Sequence, residues 1–390
     1  MSNTIACHAC AAETLEALPT EHAFRAISSD IQVVDGDIQL AVCSSCGLVQ
    51  KRVEPEWQSA VDAIYRDYSI NHQSGGADPY IFNSLYGAGP RADILMRHLQ
   101  AAYALPAIGR MLDIGCGNGN ILRGFARNFP NWKLSGIDSS GRWRESIMGI
   151  PGVENFEADL TSLGEQKFDA IVMSHVLEHI PNPAAYLRGL HRYLSPGGAL
   201  FIAVPDIRQN PIDLFVLDHC THFDETTLWQ TLSAGGFGVR NLRADILGKE
   251  LVAISQVGAA TASRPAPYAM PALQMGREYL SLCGDLMALA KQMRERHPQF
   301  AIMGTSTAAA WVAAGLDMQV DCYVDEDPQR AGKQAFGKPI HALANVPAGT
   351  CVFIPMASTT AEQIVARANR PDLEFAYLDS NDVSRAALRA

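Results

Sequence analysis

A glycine-rich turn between a short apolar strand and a helix constrains the fold of this chain more than any other feature. Residues 110–119 read Arg-Met-Leu-Asp-Ile-Gly-Cys-Gly-Asn-Gly. Glycines lack a Cβ, so the backbone can bend sharply there and a ligand can approach it closely. Asp113 precedes the turn and would repel phosphate, which favours a cationic or hydroxyl-rich ligand over a pyrophosphate. We therefore expect Asp113, Gly115 and Gly117 to contact a bound ligand.

Four apolar segments follow this turn and predict further strands of an α/β domain: residues 133–138, 155–160, 168–174 and 198–204. The first ends in Asp138, at a place where an acidic residue accepts hydrogen bonds from a ribose diol. The second ends near Asp159. A doubly wound domain of this kind binds ligands beyond the carboxyl ends of its strands.

Five short motifs together resemble the class I S-adenosylmethionine-dependent methyltransferases in order and spacing. They are Asp-Ile-Gly-Cys-Gly-Asn-Gly at 113–119, Gly-Ile-Asp at 136–138, Ala-Asp-Leu at 158–160, Val-Leu-Glu-His at 176–179 and Leu-Ser-Pro-Gly-Gly at 194–198. The resemblance implies S-adenosylmethionine as cofactor. Asp138 would then hold the ribose hydroxyls, Asp159 the adenine amino group, and the turn from Asp113 to Gly117 the methionine portion. An NAD-binding or ligand-free doubly wound domain is the alternative.

The formal net charge of −10 argues against a general nucleic-acid or acidic-membrane surface, because phosphate binding needs clustered Lys and Arg. The N-terminal segment resembles no signal peptide, and no apolar run approaches the roughly 20 residues of a membrane span. The chain contains nine cysteines, four of them arranged as two Cys-x-x-Cys pairs, a pattern typical of metal thiolates in a reducing cytoplasm. We expect a cytoplasmic protein with a small-molecule substrate.

The first 53 residues predict a zinc-binding domain. Cys7-His-Ala-Cys10 and Cys43-Ser-Ser-Cys46 are knuckles whose four thiolates can complete a tetrahedral set, and Gly47 suits the tight turn after the second pair. With all four positions filled by protein, the zinc would be structural. Residues 31–42 alternate around Asp35-Gly36 and predict a hairpin. A redox dithiol or four unrelated thiols are the alternatives.

Residues 54–86 are rich in aromatic side chains and predict either a linker helix with a core-facing stripe or a lid over the cofactor. As a lid, this segment would bring Tyr65, Tyr68 and His72 to the substrate.

Two polar segments of the predicted methyltransferase domain, residues 87–257, lie just beyond strand ends. In the first, residues 174–181, the candidates to face the cofactor are Ser174, His175, and Glu178 or His179; helix packing and capping is the alternative. In the second, residues 217–224, Asp218 lies beside His219, and His222 follows. An imidazole next to a carboxylate suits proton abstraction, whereas a polar loop without chemistry is the alternative.

Residues 258–272 form a proline-rich linker of small residues, and residues 273–390 predict a second α/β unit. Apolar side chains recur at helical spacing from Met275 to Met293. A strand, glycine turn and helix follow at 300–311, with further strands at 320–324, 351–355 and 374–377. The arrangement is Rossmann-like without a complete nucleotide-binding fingerprint, so a purely structural domain and a nucleotide site both stay open.

Taken in this order, the segments resemble the sugar C-methyltransferases that act on nucleotide-linked keto-deoxysugars. The motifs that carry the likeness are the two knuckles, Tyr-Arg-Asp-Tyr at 65–68, Val-Leu-Glu-His at 176–179 and Asp-Glu-Asp-Pro-Gln-Arg-Ala-Gly at 325–332. The resemblance implies His219 as general base with Asp218 beside it, and His179 as a second histidine of the site. Val216-Leu217 and Thr221-His222 depart from the family's Tyr-His and Ser-Tyr, and the last glycine turn lacks its usual lysine.

The sequence therefore predicts an S-adenosylmethionine-dependent methyltransferase that methylates a carbon next to a ketone of a nucleotide-linked deoxysugar or similar small polar metabolite. A sugar or natural-product O-methyltransferase is one alternative, because it would need only the base. A zinc-bearing protein that binds S-adenosylmethionine without catalysis is another.

Overall fold

The computed structural model describes residues 6–20, 24–66, 68, 76–266, 268 and 270–379. The chain divides into two compact units, each built from separate stretches of sequence. The first takes its described residues from Met1–Thr14, Gly76–Asp206 and Cys220–Pro267. The second takes them from Leu15–Gly75, Ile207–His219 and Tyr268–Ala390.

The second unit begins with short strands around the second cysteine knuckle. Strand β4 pairs antiparallel with both β1 and β5, and β2 pairs antiparallel with β3. The elements are β1 (Leu15–Leu18), β2 (Ala26–Ile27), β3 (Val33–Val34), β4 (Leu40–Cys43), β5 (Val49–Lys51) and α1 (Pro55–Arg66).

The hairpin predicted around Asp35-Gly36 is wrong. Val33 and Val34 pair back to Ile27 and Ala26, whereas Leu40–Cys43 lies between β1 and β5. Gly36 does not adopt the positive φ that a two-residue hairpin turn with glycine at its second position requires. The alternation of the sequence identified strand-forming residues but not their partners.

The first unit centres on a seven-stranded sheet in the order β10-β9-β8-β11-β12-β15-β14. The first five strands are parallel, and β15 is antiparallel to both β12 and β14. A separate hairpin, β6-β7, precedes it. The strands are β6 (Tyr80–Asn83), β7 (Gly87–Pro90), β8 (Arg110–Ile114), β9 (Lys133–Ile137), β10 (Val153–Glu157), β11 (Phe168–Ser174), β12 (Leu194–Pro205), β13 (Thr221–His222), β14 (Phe237–Arg243) and β15 (Glu250–Val257).

Both faces of this sheet are buried, which is why β11 and β12 are almost wholly apolar. The order changes direction at β8, so the carboxyl ends of β8 and β11 flank the crevice where such sheets bind ligands. Helix α6 begins with a capping box between Asp224 and Thr227. The helices of this unit are α2 (Arg91–Ala102), α3 (Asn120–Asn128), α4 (Arg144–Met148), α5 (Pro183–Leu190) and α6 (Glu225–Ala234).

The second unit resumes with a long helix and a six-stranded sheet in the order β18-β19-β17-β16-β20-β21. Its strands are parallel except for the pairing of β18 with β19. The elements are α7 (Ala272–Arg296), β16 (Phe300–Met303), α8 (Thr307–Gly315), β17 (Cys322–Val324), β18 (Gln334–Ala335), β19 (Lys338–His341), β20 (Cys351–Phe353), α9 (Ser358–Ala368) and β21 (Glu374–Ala376).

One hydrophobic core of the second unit joins residues that are far apart in sequence. Leu18 and Val42 come from the N-terminal strands, Phe215 from the 207–219 stretch, and Tyr279 and Trp311 from the C-terminal helices. Within the part of the chain that is described, no helix is both long and apolar enough to cross a bilayer.

Candidate active site

The glycine turn follows β8 directly and is shaped by its glycines. Gly115, Gly117 and Gly119 all have positive φ, at 68°, 50° and 86°. A Cβ on Gly115 would lie 2.5 Å from Val176 Cγ2, so no larger residue fits without displacing that side chain. The backbone of the turn is therefore held open to a ligand by the absence of side chains.

Two carboxylates flank the turn. Asp113 is 1% exposed, and its Oδ2 receives no hydrogen bond from any described residue. Burial, reinforced by the negative charge of Asp138, holds the pKa of Asp113 well above its usual range. Asp138 is tied to the turn, because its Oδ2 accepts from Gly117 N at 2.8 Å and its Oδ1 from Ser140 N at 2.9 Å. A ligand that carries a positive charge and hydroxyl groups suits this pair.

Asp159 lies in a different environment from these two carboxylates. It is exposed and caps a 3-10 helix, Leu160–Leu163, by accepting from Thr161 N at 2.8 Å and Ser162 N at 3.3 Å. Hydrogen bonds from Thr161, first its hydroxyl and then its backbone N–H, lower the pKa of Asp159. The structure thus gives this side chain a capping contact at the end of β10.

A charge network lies at the carboxyl end of β11. His175 Nδ1 is 3.0 Å from Glu178 Oε1, and its Nε2 is 3.3 Å from Glu250 Oε2. Arg91 donates through Nε to Glu250 Oε1 at 2.8 Å and through Nη1 to Ser174 Oγ at 3.0 Å. The network joins the two predicted residues, Ser174 and His175, through partners on α2 and β15.

The same network keeps His175 protonated. Desolvation lowers the pKa of His175, but the charge of Glu250 and the hydrogen bonds to Glu178 and Glu250 outweigh it and raise the pKa to about 9. Although burial opposes its charge, Glu250 has a pKa lowered to about 2 by Arg91 and His175. The side chain of His175 is 40% exposed, whereas that of Glu178 is fully buried. The positively charged ring is therefore partly open to solvent, and the carboxylates of Glu178 and Glu250 lie beneath it.

His179 ends the 3-10 helix Leu177–His179, and this helix is tied to the segment that contains His222. Cys220 N donates to the Glu178 carbonyl at 2.9 Å. His222 is 1% exposed, and His8 Nδ1 is 2.7 Å from Thr221 Oγ1. Burial and the neighbouring His222 lower the pKa of His8 to about 4. The side chains of Thr221 and His222 are therefore both buried.

Asp218 and His219 belong to the second unit. His219 contacts a carboxylate, whereas Asp218 contacts a serine. His219 is 5% exposed, and its Nδ1 lies 2.7 Å from Asp213 Oδ1. Asp218 accepts from Ser29 N at 2.8 Å and lies 2.5 Å from Ser29 Oγ. The contact that orients the His219 ring is thus made by Asp213, six positions earlier.

Ser29 connects Asp218 to the aromatic segment. Its Oγ lies 3.0 Å from the Tyr68 hydroxyl oxygen, and the rings of Tyr65 and Tyr68 have centroids 5.5 Å apart. Tyr65 is 45% exposed. His72, the third substrate residue predicted in this stretch, lies outside the described residues.

The two cysteine knuckles have the same backbone structure. Cys7 N donates to the Ala12 carbonyl and Ala11 N to the Cys7 carbonyl, both at 2.9 Å. Cys43 N donates to the Leu48 carbonyl at 2.9 Å, and Gly47 N to the Cys43 carbonyl at 2.8 Å. The residue after each pair, Ala11 or Gly47, has a left-handed φ, of 59° and 81°. Cys7 and Cys10 lie in the first unit, and Cys43 and Cys46 lie in the second.

Sequence reasoning missed four polar residues of these sites: Asp213, Ser29, Arg91 and Glu250. Asp213 lies in a short 3-10 helix, Pro211–Phe215, and Arg91 and Glu250 lie at the ends of α2 and β15. No motif marks them. A charged residue at the first position of a helix or strand that meets the ligand edge of the sheet is the signal that could have found the last two.

Comparison with known proteins agrees with this geometry. Residues 90–242 match a family model described as a methyltransferase domain. The trans-aconitate 2-methyltransferase of Methylobacterium nodulans is 36% identical over 124 residues, which cover 31% of this chain and 46% of that protein. The ubiquinone biosynthesis O-methyltransferase of Pseudomonas aeruginosa is 31% identical over 111 residues, covering 26% and 46%. This chain thus spans about half the length of these curated relatives.

Among solved structures, the mitomycin 7-O-methyltransferase is similar at 18% identity and a TM-score of 0.38, covering 43% of this chain and 53% of that one. The match at residues 90–242 is to a methyltransferase domain, which is the kind of domain that the glycine turn and the four motifs after it predict.

Proposed function

We propose that this protein transfers a methyl group from S-adenosylmethionine to a small polar acceptor, with His219 as the general base. The observation that carries the base assignment is the 2.7 Å contact between His219 Nδ1 and Asp213 Oδ1 in a buried setting. A carboxylate at Nδ1 fixes the ring orientation and places the proton-accepting electron pair on Nε2. This replaces Asp218 as the orienting partner and assigns that role to Asp213.

The glycine turn fits S-adenosylmethionine. Asp113 offers a buried carboxylate oxygen that receives no hydrogen bond from the described residues. Burial raises the pKa of Asp113, and the positive charge of a bound ligand would lower it again by stabilising the carboxylate. Gly115 and Gly117 let the ligand approach the backbone, and Asp138 is placed to accept hydrogen bonds from ribose hydroxyls. When bound, the cofactor supplies a methyl group already activated on a sulfonium, so the protein mainly positions the acceptor and removes its proton.

Asp159 remains a proposed contact to the adenine amino group. Its present hydrogen bonds run to Thr161 and Ser162, and the carboxylate can accept further bonds. His179 and His222 remain candidates for the acceptor side, together with Tyr65, Tyr68 and His72.

For the acceptor we propose a carbon next to a ketone, in a nucleotide-linked deoxysugar or a similar metabolite. The likeness of the motifs at 65–68, 176–179 and 325–332 to sugar C-methyltransferases supports it. In this reaction His219 would remove the α-proton, and a hydrogen-bond donor, for which His179 is a candidate, would stabilise the enolate oxygen. The C-terminal sheet would be a Rossmann-like domain, which its parallel strands in the order β19-β17-β16-β20-β21 support.

O-methylation is the second candidate, favoured by the name of the O-methyltransferase relative. A hydroxyl acceptor needs the base but no enolate. The two reactions differ in one observable, because only the enolate route exchanges the carbon-bound proton with solvent.

We also propose that the four knuckle cysteines bind one structural zinc ion. The matching hydrogen bonds and left-handed residues of the two knuckles support this, since each loop presents its pair of thiolates in the same way.

The test is mass spectrometry of a panel of nucleotide-linked keto-deoxysugars incubated in deuterated buffer, with and without S-adenosylmethionine. We expect deuterium uptake beside the ketone and one added methyl. His219→Gln should abolish both, while His297→Gln, at the end of α7, should leave them intact. A methyl gained without deuterium would select O-methylation, and full activity of His219→Gln would refute the base assignment.

A further inference from the structure

Lys51 is a lysine in a place where a charged side chain is costly. It ends β5 and is 1% exposed. Its Nζ donates to two backbone carbonyls, those of Val216 and His219, at 2.6 Å each. A buried ammonium is tolerated only when strong hydrogen bonds replace its hydration. Lys51 is therefore committed to the short segment that carries His219.

The backbone of that segment is held by other side chains of the same N-terminal stretch. Trp57 Nε1 donates to the Leu217 carbonyl at 2.8 Å, and Leu217 N donates to the Ile27 carbonyl at 2.7 Å. Ser29 binds the Asp218 carboxylate. Each residue from 216 to 219 thus has a hydrogen bond to residues 27–57, so the segment has little freedom to move.

A second contact holds the start of the segment. Phe215 stacks on Trp311 of α8, with ring centroids 5.0 Å apart and an interplanar angle of 15°. Both rings are fully buried. Asp213 lies two positions before Phe215, so the stack on Trp311 holds the Asp213 side of the contact between Asp213 and His219. Lys51 holds the His219 side, through the His219 carbonyl.

We infer that Lys51 is a positioning residue for His219: its ammonium, held on the strand that follows the second cysteine knuckle, fixes the backbone that presents the base. β5 pairs with β4, and Lys51 lies opposite Leu40 in that ladder. Leu40 is three residues before Cys43 on the same strand. The knuckle strands are thereby connected to the acceptor side of the reaction, beyond a structural role in the N-terminal segment. This inference rests on the proposed function of His219.

The test compares wild type with Lys51→Met, which keeps the length of the side chain and removes the charge, and with Trp57→Phe, which keeps the ring and removes the donor. Lys291→Met, on the exposed side of α7, is the matched control. Hydrogen exchange of peptides covering residues 211–219, the kcat for methyl transfer and the Kd for S-adenosylmethionine are measured for each.

We expect Lys51→Met to speed exchange of the 211–219 amides and to lower kcat, each by about tenfold or more, because charge-assisted hydrogen bonds are lost. The Kd for S-adenosylmethionine should stay unchanged. Trp57→Phe should change exchange and kcat in the same direction by about threefold, since it removes one neutral bond. If Lys51→Met does not fold, the Trp57→Phe variant decides whether these hydrogen bonds hold the 216–219 segment.

Unchanged exchange in both variants would overturn the inference, whatever the activity. Faster exchange with an unchanged kcat, alongside an inactive His219→Gln, would also overturn it. If wild type methylates no acceptor, the proposed function fails by itself, and the exchange data still decide whether Lys51 holds the segment.

Discussion

At the scale of single residues, His175 shows how a side chain can be fixed by charge. Its φ of 55° is left-handed, which is strained for a residue with a Cβ, and its ring lies between two carboxylates. Arg91 balances the second of these carboxylates. The sequence could indicate that His175 follows a strand at the ligand edge, but it could not indicate Glu250, because that residue is distant in the chain and pairs through tertiary folding.

This arrangement predicts a specific pH dependence of stability. The pKa of His175 is raised from an ordinary 6.5 to about 9. A raised pKa stabilises the folded state fully below pH 6.5, and this contribution disappears as the pH rises through 9. We expect the Tm of wild type to fall between pH 6.5 and 9 by more than that of His175→Gln, in calorimetric scans across this range.

Glu178, Glu250 and Arg91 are the charged groups that contact or balance the ring. His297→Gln should keep the wild-type slope. If His175→Gln lost stability over the same interval as steeply as wild type, the titrating group would have to be another one.

The base assignment shows the limit of reading neighbours along the chain. Asp218 is adjacent to His219 in sequence, yet the carboxylate at 2.7 Å from Nδ1 is Asp213, because the 3-10 turn at 211–215 brings it back toward the ring. Adjacent residues in an extended stretch point in different directions, so adjacency alone was a poor guide to contact.

At the scale of elements, local patterns were informative where burial imposes them. The strand predicted at 168–174 has the same bounds in the structure, because a nearly continuous apolar run marks it. The hairpin at 31–42 was wrong, because the partners of β4 come from either side of the predicted turn. Short strands carry too little information to specify their pairing.

The knuckles lead to a prediction about metal removal. Freshly purified protein should contain about one equivalent of zinc, and because metal binding is coupled to folding, a strong chelator should lower the Tm. Cys43→Ser should likewise lose the zinc and lower the Tm, whereas Ser45→Ala, between Cys43 and Cys46, should retain the metal. The seven-stranded sheet contains the cofactor turn and no knuckle cysteine, so the Kd for S-adenosylmethionine should change little.

The zinc content is measured by metal analysis and by a colorimetric assay of the zinc that a chelator releases, and the Tm is measured before and after release. Less than about half an equivalent in wild type, or release that leaves Tm unaltered, would contradict a structural zinc.

At the scale of the whole molecule, the compact units are interleaved in sequence. The boundaries predicted from composition run along the chain in consecutive blocks, and they remain predictions, whereas each compact unit combines three separate stretches. Composition detects linkers but cannot detect that Leu18 and Tyr279 share a core, since nothing local encodes a contact between residues so distant in the chain. The parallel sheet of the first unit was easier to predict, because its strands follow one another along the chain.

The shared core of the second unit predicts that its distant stretches unfold together. Leu18 is 2% exposed and packs against α7, where a Cβ on Gly276 would lie 2.9 Å from Leu18 Cδ2. Leu18→Ala should therefore cost about 2–5 kcal/mol through lost contacts and the cavity left behind. Because the stability of a cooperative unit is shared, native-state hydrogen exchange should become faster in α7 and β16 as well as in residues 15–66. Leu85→Ala, at a side chain that is 58% exposed in the first unit, is the matched control and should change neither. Acceleration limited to residues 15–66, with α7 and β16 at wild-type rates, would show that the N-terminal strands open independently and that the common core is not one cooperative unit.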